Sequence, residues 1–161
     1  LVGLFANQPL EEVNRIVAQS GLDMAQICGD ESLDYLDRVE VPVIRQIRVR
    51  VDGPRNSNVA AILDAVSAVV AQGHIVVLDR HQAGTLGGTG LKFDWDIAKQ
   101  VNNRYDFLLA GGLSPNNVAT AIDQVNPWAV DVSSGVETDG VKDPDKIVAF
   151  AQQIRKSACF D

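Results

Sequence analysis

The chain is poor in the residues that usually announce a metal centre or a disulfide framework. It has two cysteines, Cys28 and Cys159, and two histidines, His74 and His81. They form no CxxC pair and no cluster with metal-ligand spacing. A reduced, cytoplasmic protein without a metal is expected. Basic runs are also missing. Lys and Arg number 14 against 21 Asp and Glu, a formal net charge of −7. This balance argues against nucleic acid as the main partner. The acidic residues are scattered and read as solvated surface. No apolar run approaches the roughly 18 residues of a membrane span, so no membrane partner is expected. Leu1–Phe5 lacks a basic leader, and no secretory signal is read there.

What is present is apolar sequence in short, regular pieces. Hydrophobic residues make up 46% of 161, enough for one domain with its own core. Six runs have strand length: Leu1–Phe5, Met24–Cys28, Pro42–Ile47, Ile75–Asp79, Phe107–Ala110 and Trp128–Val132. They show little period-two alternation, as in parallel strands covered on both faces. Helical patterns lie between and after them, at Leu10–Ser20, Asn58–Ala71, Asp94–Asn102, Pro115–Gln124 and Pro144–Lys156, with a short helix over Glu31–Leu36. Pro144 suits a first helical position. Val51–Asn58 reads as an ordinary loop, and no linker or second domain is visible.

The strand ends recur about every 25 residues, the spacing of βα units. Two late ends are rich in small residues. Phe107-Leu108-Leu109-Ala110 runs into Gly111-Gly112-Leu113-Ser114-Pro115, and Val130-Asp131-Val132 runs into Ser133-Ser134-Gly135. Small residues before a helix let backbone N–H groups converge on an anion. Such a pair matches the phosphate site after strands seven and eight of a (β/α)8 barrel. The predicted fold is therefore α/β, a parallel (β/α)8 TIM barrel with roughly the last six βα units present. Residues 1–161 form one partial barrel domain holding strands three to eight. A whole barrel takes about 200 residues or more, so an N-terminal truncation of about two units is expected.

The stretch Ile75-Val76-Val77-Leu78-Asp79 ends an aliphatic strand in a carboxylate, and a glycine-rich loop with Gly87, Gly88 and Gly90 follows. A half-buried carboxyl at a barrel mouth can hold a raised pKa and act as a general acid; a turn or helix cap is the plainer reading of Asp79. The glycines suit a mobile lid or close backbone approach to a ligand.

These motifs occur in a telling order. Leu78-Asp79, Gly87-Gly88-Thr89-Gly90, Phe93-Asp94-Trp95, Leu109-Ala110-Gly111-Gly112-Leu113-Ser114-Pro115 and Asp131-Val132-Ser133-Ser134-Gly135-Val136-Glu137 follow one another. The set resembles the phosphoribosylanthranilate isomerase family of tryptophan biosynthesis, and its flavour is closest to fungal members. Val2–Gln8 resembles the third strand of that family and Met24–Glu31 its fourth. Thr138–Asp143 fits as well.

The resemblance implies an Amadori rearrangement of N-(5-phosphoribosyl)anthranilate to 1-(2-carboxyphenylamino)-1-deoxyribulose 5-phosphate. It needs no cofactor, because the substrate's own imine is the electron sink. It places Asp79 at the general-acid position. Gly111, Gly112, Ser134, Gly135 and Gly88 fall at substrate- and phosphate-binding positions. It allows fusion to, or association with, other tryptophan-pathway enzymes. The family's general base is a cysteine in a Lys-x-Cys-Gly motif, which this sequence lacks, so an impaired catalyst is expected. The rivals are a non-catalytic phosphate-binding fragment or pseudoenzyme, and indole-glycerol-phosphate synthase, whose strand-end lysines have no counterpart here.

Cys28 stands where the family usually has histidine. It reads as a small apolar residue near the mouth, with a thiolate base as the alternative. His74 reads as a surface residue and His81 as a loop residue within reach of substrate. Arg45 or Arg48 is a candidate for the anthranilate carboxylate, or else a solvated arginine. Trp95 and Trp128 read as core anchors.

Overall fold

The computed structural model describes residues 1–50, 55–81 and 95–157. Six strands, β1 (Val2–Phe5), β2 (Met24–Ile27), β3 (Val43–Arg50), β4 (Ile75–His81), β5 (Leu108–Leu109) and β6 (Ala129–Val130), lie side by side in chain order. Every neighbouring pair is parallel. Helices α1 (Leu10–Ser20), α2 (Leu33–Leu36), α3 (Arg55–Ala71), α4 (Trp95–Asn102) and α5 (Val118–Val125) alternate with them, and α6 (Pro144–Lys156) follows.

The helix ends follow local chemistry. The first turn of α1 carries Glu11 and Glu12, which complement the helix dipole, and Gly21 ends it at φ 60° with its N–H bonded to the Val17 carbonyl. Asp143 caps α6 by accepting from the N–H groups of Asp145 (3.0 Å) and Lys146 (3.2 Å), with Pro144 as its first residue. Two helix starts are displaced by three residues from expectation. α3 begins at Arg55 rather than Asn58, so the last part of the expected loop is helical. Conversely, Pro115–Asn117 stays outside α5. There the Asn117 side chain accepts from Ser114 N–H (2.8 Å) and donates to the Gly112 carbonyl (2.9 Å), closing a turn in place of a first helical turn.

Side-chain parity divides the core by sheet face. Val76 and Leu78 of β4 pack with Ile62, Val66, Val69, Ile97, Val101, Ile122 and Phe150 of the later helices. On the same face, Phe5, Ala25, Ile27 and Val43 pack with Val13 and Val17 of α1 and with Leu36. The opposite face has its own cluster of Ile44, Val77 and Ala110, joined by Met24, Ile75 and Leu108. Successive residues are thus apolar on both sides, which removes the period-two signal.

β1 and β6 each pair with one strand among the described residues. At these edges Leu4 is 67% exposed and Trp128 58%. The core role expected of Trp128 is overturned, because it precedes a strand that has a neighbour on one side only among the described residues, and its ring is exposed. Trp95 does pack against the main cluster. His74 is also not a plain surface residue. Its side chain is 12% exposed and its Nε2 lies 3.0 Å from Asp37 Oδ1, tying the start of β4 to the end of α2.

Candidate active site

Asp79 lies on the sheet face opposite the helices, together with Val77. The strand continues past it to His81, so the carboxyl stands two residues inside the strand end rather than at it. Its Cα partner on β3 is Arg48. Gln46, one step earlier on the same face, donates its side-chain amide to Asp79 Oδ2 at 2.5 Å. Burial is the main influence on this carboxyl and raises its pKa above the ordinary range; the negative charge of Asp131 adds to the rise. The Arg80 N–H, the Gln46 amide and the Arg48 guanidinium act the other way without cancelling it.

The two small-residue turns stand beside this carboxyl. After β5 the ladder extends by one bond, from Ala110 N–H to the Leu78 carbonyl (2.8 Å), and the chain then turns through Gly111 at φ 86° and Gly112 at φ 73°. A Cβ on Gly111 would meet Arg80 N at 2.5 Å and Asp79 Oδ1 at 3.0 Å. After β6 the Asp131 N–H bonds to the Leu109 carbonyl (2.8 Å), and Ser134–Val136 forms a 3-10 turn. A Cβ on Gly135 would fall 1.8 Å from the Leu113 carbonyl oxygen. Backbone thus packs on backbone at both turns, and glycine is required at Gly111 and Gly135 by space alone. Asp79, Gly111, Gly112, Asp131, Ser134 and Gly135 line one cavity of about 170 Å³.

The support for the second turn was not read from the sequence. Strands β7 (Glu137–Thr138) and β8 (Val141–Lys142) form an antiparallel hairpin. Lys142 Nζ reaches back to the Ser133 carbonyl (2.9 Å) and to Glu137 Oε1 (2.6 Å). Asp139-Gly140 at the tip has φ 52° and 79°, the Asp-Gly signature of a tight hairpin, and was the signal available. Asp131 and Gln46 are the other contributors that sequence reasoning left out. Asp131 shared the strand-end carboxylate signal that marked Asp79.

The remaining candidates separate cleanly. Arg45 turns to the helix face and pairs with Glu31 (3.0 Å), whose side chain is 4% exposed, so it does not join the cavity. Arg48 is on the Asp79 face and donates to the Cys28 carbonyl (2.6 Å). Cys28 follows β2 and is partly buried, and burial raises its thiol pKa. That environment suits a thiol rather than a thiolate base. Gly88, with Gly87, Gly90 and the lid reading, lies outside the described residues, as does Cys159. Among the described residues, no group of three or more His, Cys, Asp or Glu is placed to hold a metal ion. No described helix is long and apolar enough to cross a membrane.

A parallel sheet built from βα units, with a half-buried carboxyl near one strand end and two small-residue turns beyond its neighbours, belongs to the α/β-barrel class. The family model described as "N-(5'phosphoribosyl)anthranilate (PRA) isomerase" matches residues 1–153. An N-(5'-phosphoribosyl)anthranilate isomerase from Dehalococcoides mccartyi is 43% identical over 96% of this chain and 70% of its own length. The fungal multifunctional tryptophan biosynthesis protein of Phycomyces blakesleeanus is 36% identical, over 96% of this chain and 21% of its own length. The fungal likeness is therefore the weaker of the two. The crystal structure of phosphoribosyl anthranilate isomerase from Thermotoga maritima superposes with a TM-score of 0.78 at 32% identity, covering 96% of this chain and 72% of that one. A phosphoribosyl anthranilate isomerase solved in complex with reduced 1-(o-carboxyphenylamino)-1-deoxyribulose 5-phosphate gives 0.74 at 30% identity, over 96% of this chain and 70% of that one. The chain belongs to the N-(5'-phosphoribosyl)anthranilate isomerase family, enzymes of tryptophan biosynthesis.

Proposed function

We propose that the cavity beside Asp79 is where N-(5'-phosphoribosyl)anthranilate is isomerised to 1-(2-carboxyphenylamino)-1-deoxyribulose 5-phosphate. The observation that carries this reading is the shared cavity, lined by a carboxyl of raised pKa and by both small-residue turns. Asp79 is the general acid. Its proton passes to the ribose ring oxygen as the bond from that oxygen to the anomeric carbon breaks, leaving a Schiff base. A general base then removes the proton on the neighbouring sugar carbon, and the electron pair moves into the imine to give an enolamine. Tautomerisation gives the ketone. A raised pKa suits the first step, since the acid must hold a proton near neutral pH.

Gly111, Gly112, Ser134 and Gly135 take the substrate phosphate, where backbone amides can hold an anion whatever the overall charge. Gly88 adds a substrate contact by its place in the family motif. Cys28 is not the base. A single cytoplasmic barrel domain is the setting, and association with other tryptophan enzymes is supported by the fungal multifunctional relative. The test is a fluorescence assay for loss of phosphoribosylanthranilate in the intact protein. Asp79→Asn is expected to lower turnover by at least about 100-fold. Near-normal turnover would remove Asp79 from the mechanism, whereas no turnover in the unmutated protein would favour the non-catalytic reading.

A further inference from the structure

We infer that Gln46 is a positioning residue for Asp79, holding its carboxyl in the orientation from which the proton is delivered. The inference rests on the general-acid reading of Asp79. Gln46 interrupts the apolar run Val43-Ile44-Arg45-Gln46-Ile47 with an amide on the face otherwise built from Ile44, Val77 and Ala110. A partly buried amide there needs a partner. Its Cα partner on β4 is Val77, one step below the Arg48–Asp79 pair, and its side chain spans that step to reach Asp79 Oδ2 at 2.5 Å. The other oxygen, Oδ1, lies on the Gly111 side, 3.0 Å from where a Cβ on that glycine would stand.

The Gln46 amide therefore holds the carboxyl by Oδ2 and leaves Oδ1 facing the Gly111 turn. When the acid proton leaves, the Gln46 bond becomes charge-assisted and strengthens. Gln46 thus orients the acid before the transfer and stabilises the carboxylate after it. The other polar groups acting on Asp79 are Arg48 from β3, the Arg80 N–H, Asp131 beyond β6 and Cys28 beyond β2.

The test uses two variants and two readouts. The pKa of Asp79 is followed by carbon NMR of its side-chain carboxyl in the wild type, Gln46→Met and Gln46→Glu. Loss of the donor raises it in Gln46→Met, and an added like charge raises it further in Gln46→Glu. In the intact enzyme, Gln46→Met lowers kcat by about 10-fold with KM little changed, since only proton delivery suffers. Its alkaline limb moves to higher pH in step with the NMR value. An Asp79 pKa identical in all three proteins overturns the inference. A pKa that moves while Asp79→Asn keeps full turnover leaves the Gln46 contact standing and removes the acid role instead.

Discussion

Gly111 approaches Asp79 so closely that a Cβ added to it would lie 3.0 Å from the carboxylate oxygen Oδ1 and 2.5 Å from the next backbone nitrogen, that of Arg80. The Gly111-Gly112 turn and the Asp79 carboxyl are therefore packed as one unit. Residue 111 also has φ 86°, which an L side chain rarely adopts.

Gly111→Ala is accordingly expected to destabilise the protein by about 1–3 kcal/mol, from backbone strain and overpacking together. Urea unfolding monitored by tryptophan fluorescence measures it. An unchanged midpoint would mean that the two segments are not in this contact.

Gly112 offers a cleaner test of the anion site. Its φ is 73°, but a Cβ there would meet only Arg80 Nη1, at 3.9 Å. Asn and Asp tolerate such backbone geometry better than other side chains and share a shape. Gly112→Asp should weaken inorganic phosphate binding by at least about 10-fold relative to Gly112→Asn, through charge repulsion in a confined cavity. Calorimetric titration of the two variants decides it, and equal affinities would count against the turn as a phosphate site. Gly135→Asp would be uninformative, since its Cβ would sit 1.8 Å from the Leu113 carbonyl oxygen and fold loss would mask any binding effect.

The raised pKa of Asp79 has a consequence for stability. Burial lifts its folded value above the unfolded one of 3.8. The contribution of the protonated group is fully present below that unfolded value and is lost as pH rises through the folded value. Asp79→Asn, which cannot ionise, should raise the thermal midpoint relative to wild type at neutral pH, and the gain should vanish at about pH 3. A constant difference across that range, or a loss at neutral pH, would show that the carboxyl is not held at an elevated pKa.

The sheet was legible because its strands are dense apolar runs closed by small residues, and because each is followed by a helical stripe. β3 and β4 run on past their expected ends, through Arg48-Val49-Arg50 and Arg80-His81, where charged residues break the apolar pattern but strand pairing keeps the chain extended. Gly111 and Gly135 were legible as glycine-dependent positions, although the reason on view is the space between backbone segments. Gln46 was not legible, because its partner Asp79 is fixed by sheet register, which no local window contains. The Lys142 anchor lies close in sequence to Ser133 and was signalled only indirectly, by the Asp139-Gly140 hairpin tip that folds it back. Trp128 misled for the opposite reason, because its type suits a core while its place beside an edge strand exposes it.

The most direct test titrates the isotopically labelled protein with reduced 1-(o-carboxyphenylamino)-1-deoxyribulose 5-phosphate, the ligand held by the solved relative, and follows NMR shifts residue by residue. One binding curve should describe the Asp79 carboxyl carbon and the backbone amides of Gly112, Ser134 and Gly135. Movement of the turns with a silent Asp79, or of Asp79 with silent turns, would contradict a single substrate site.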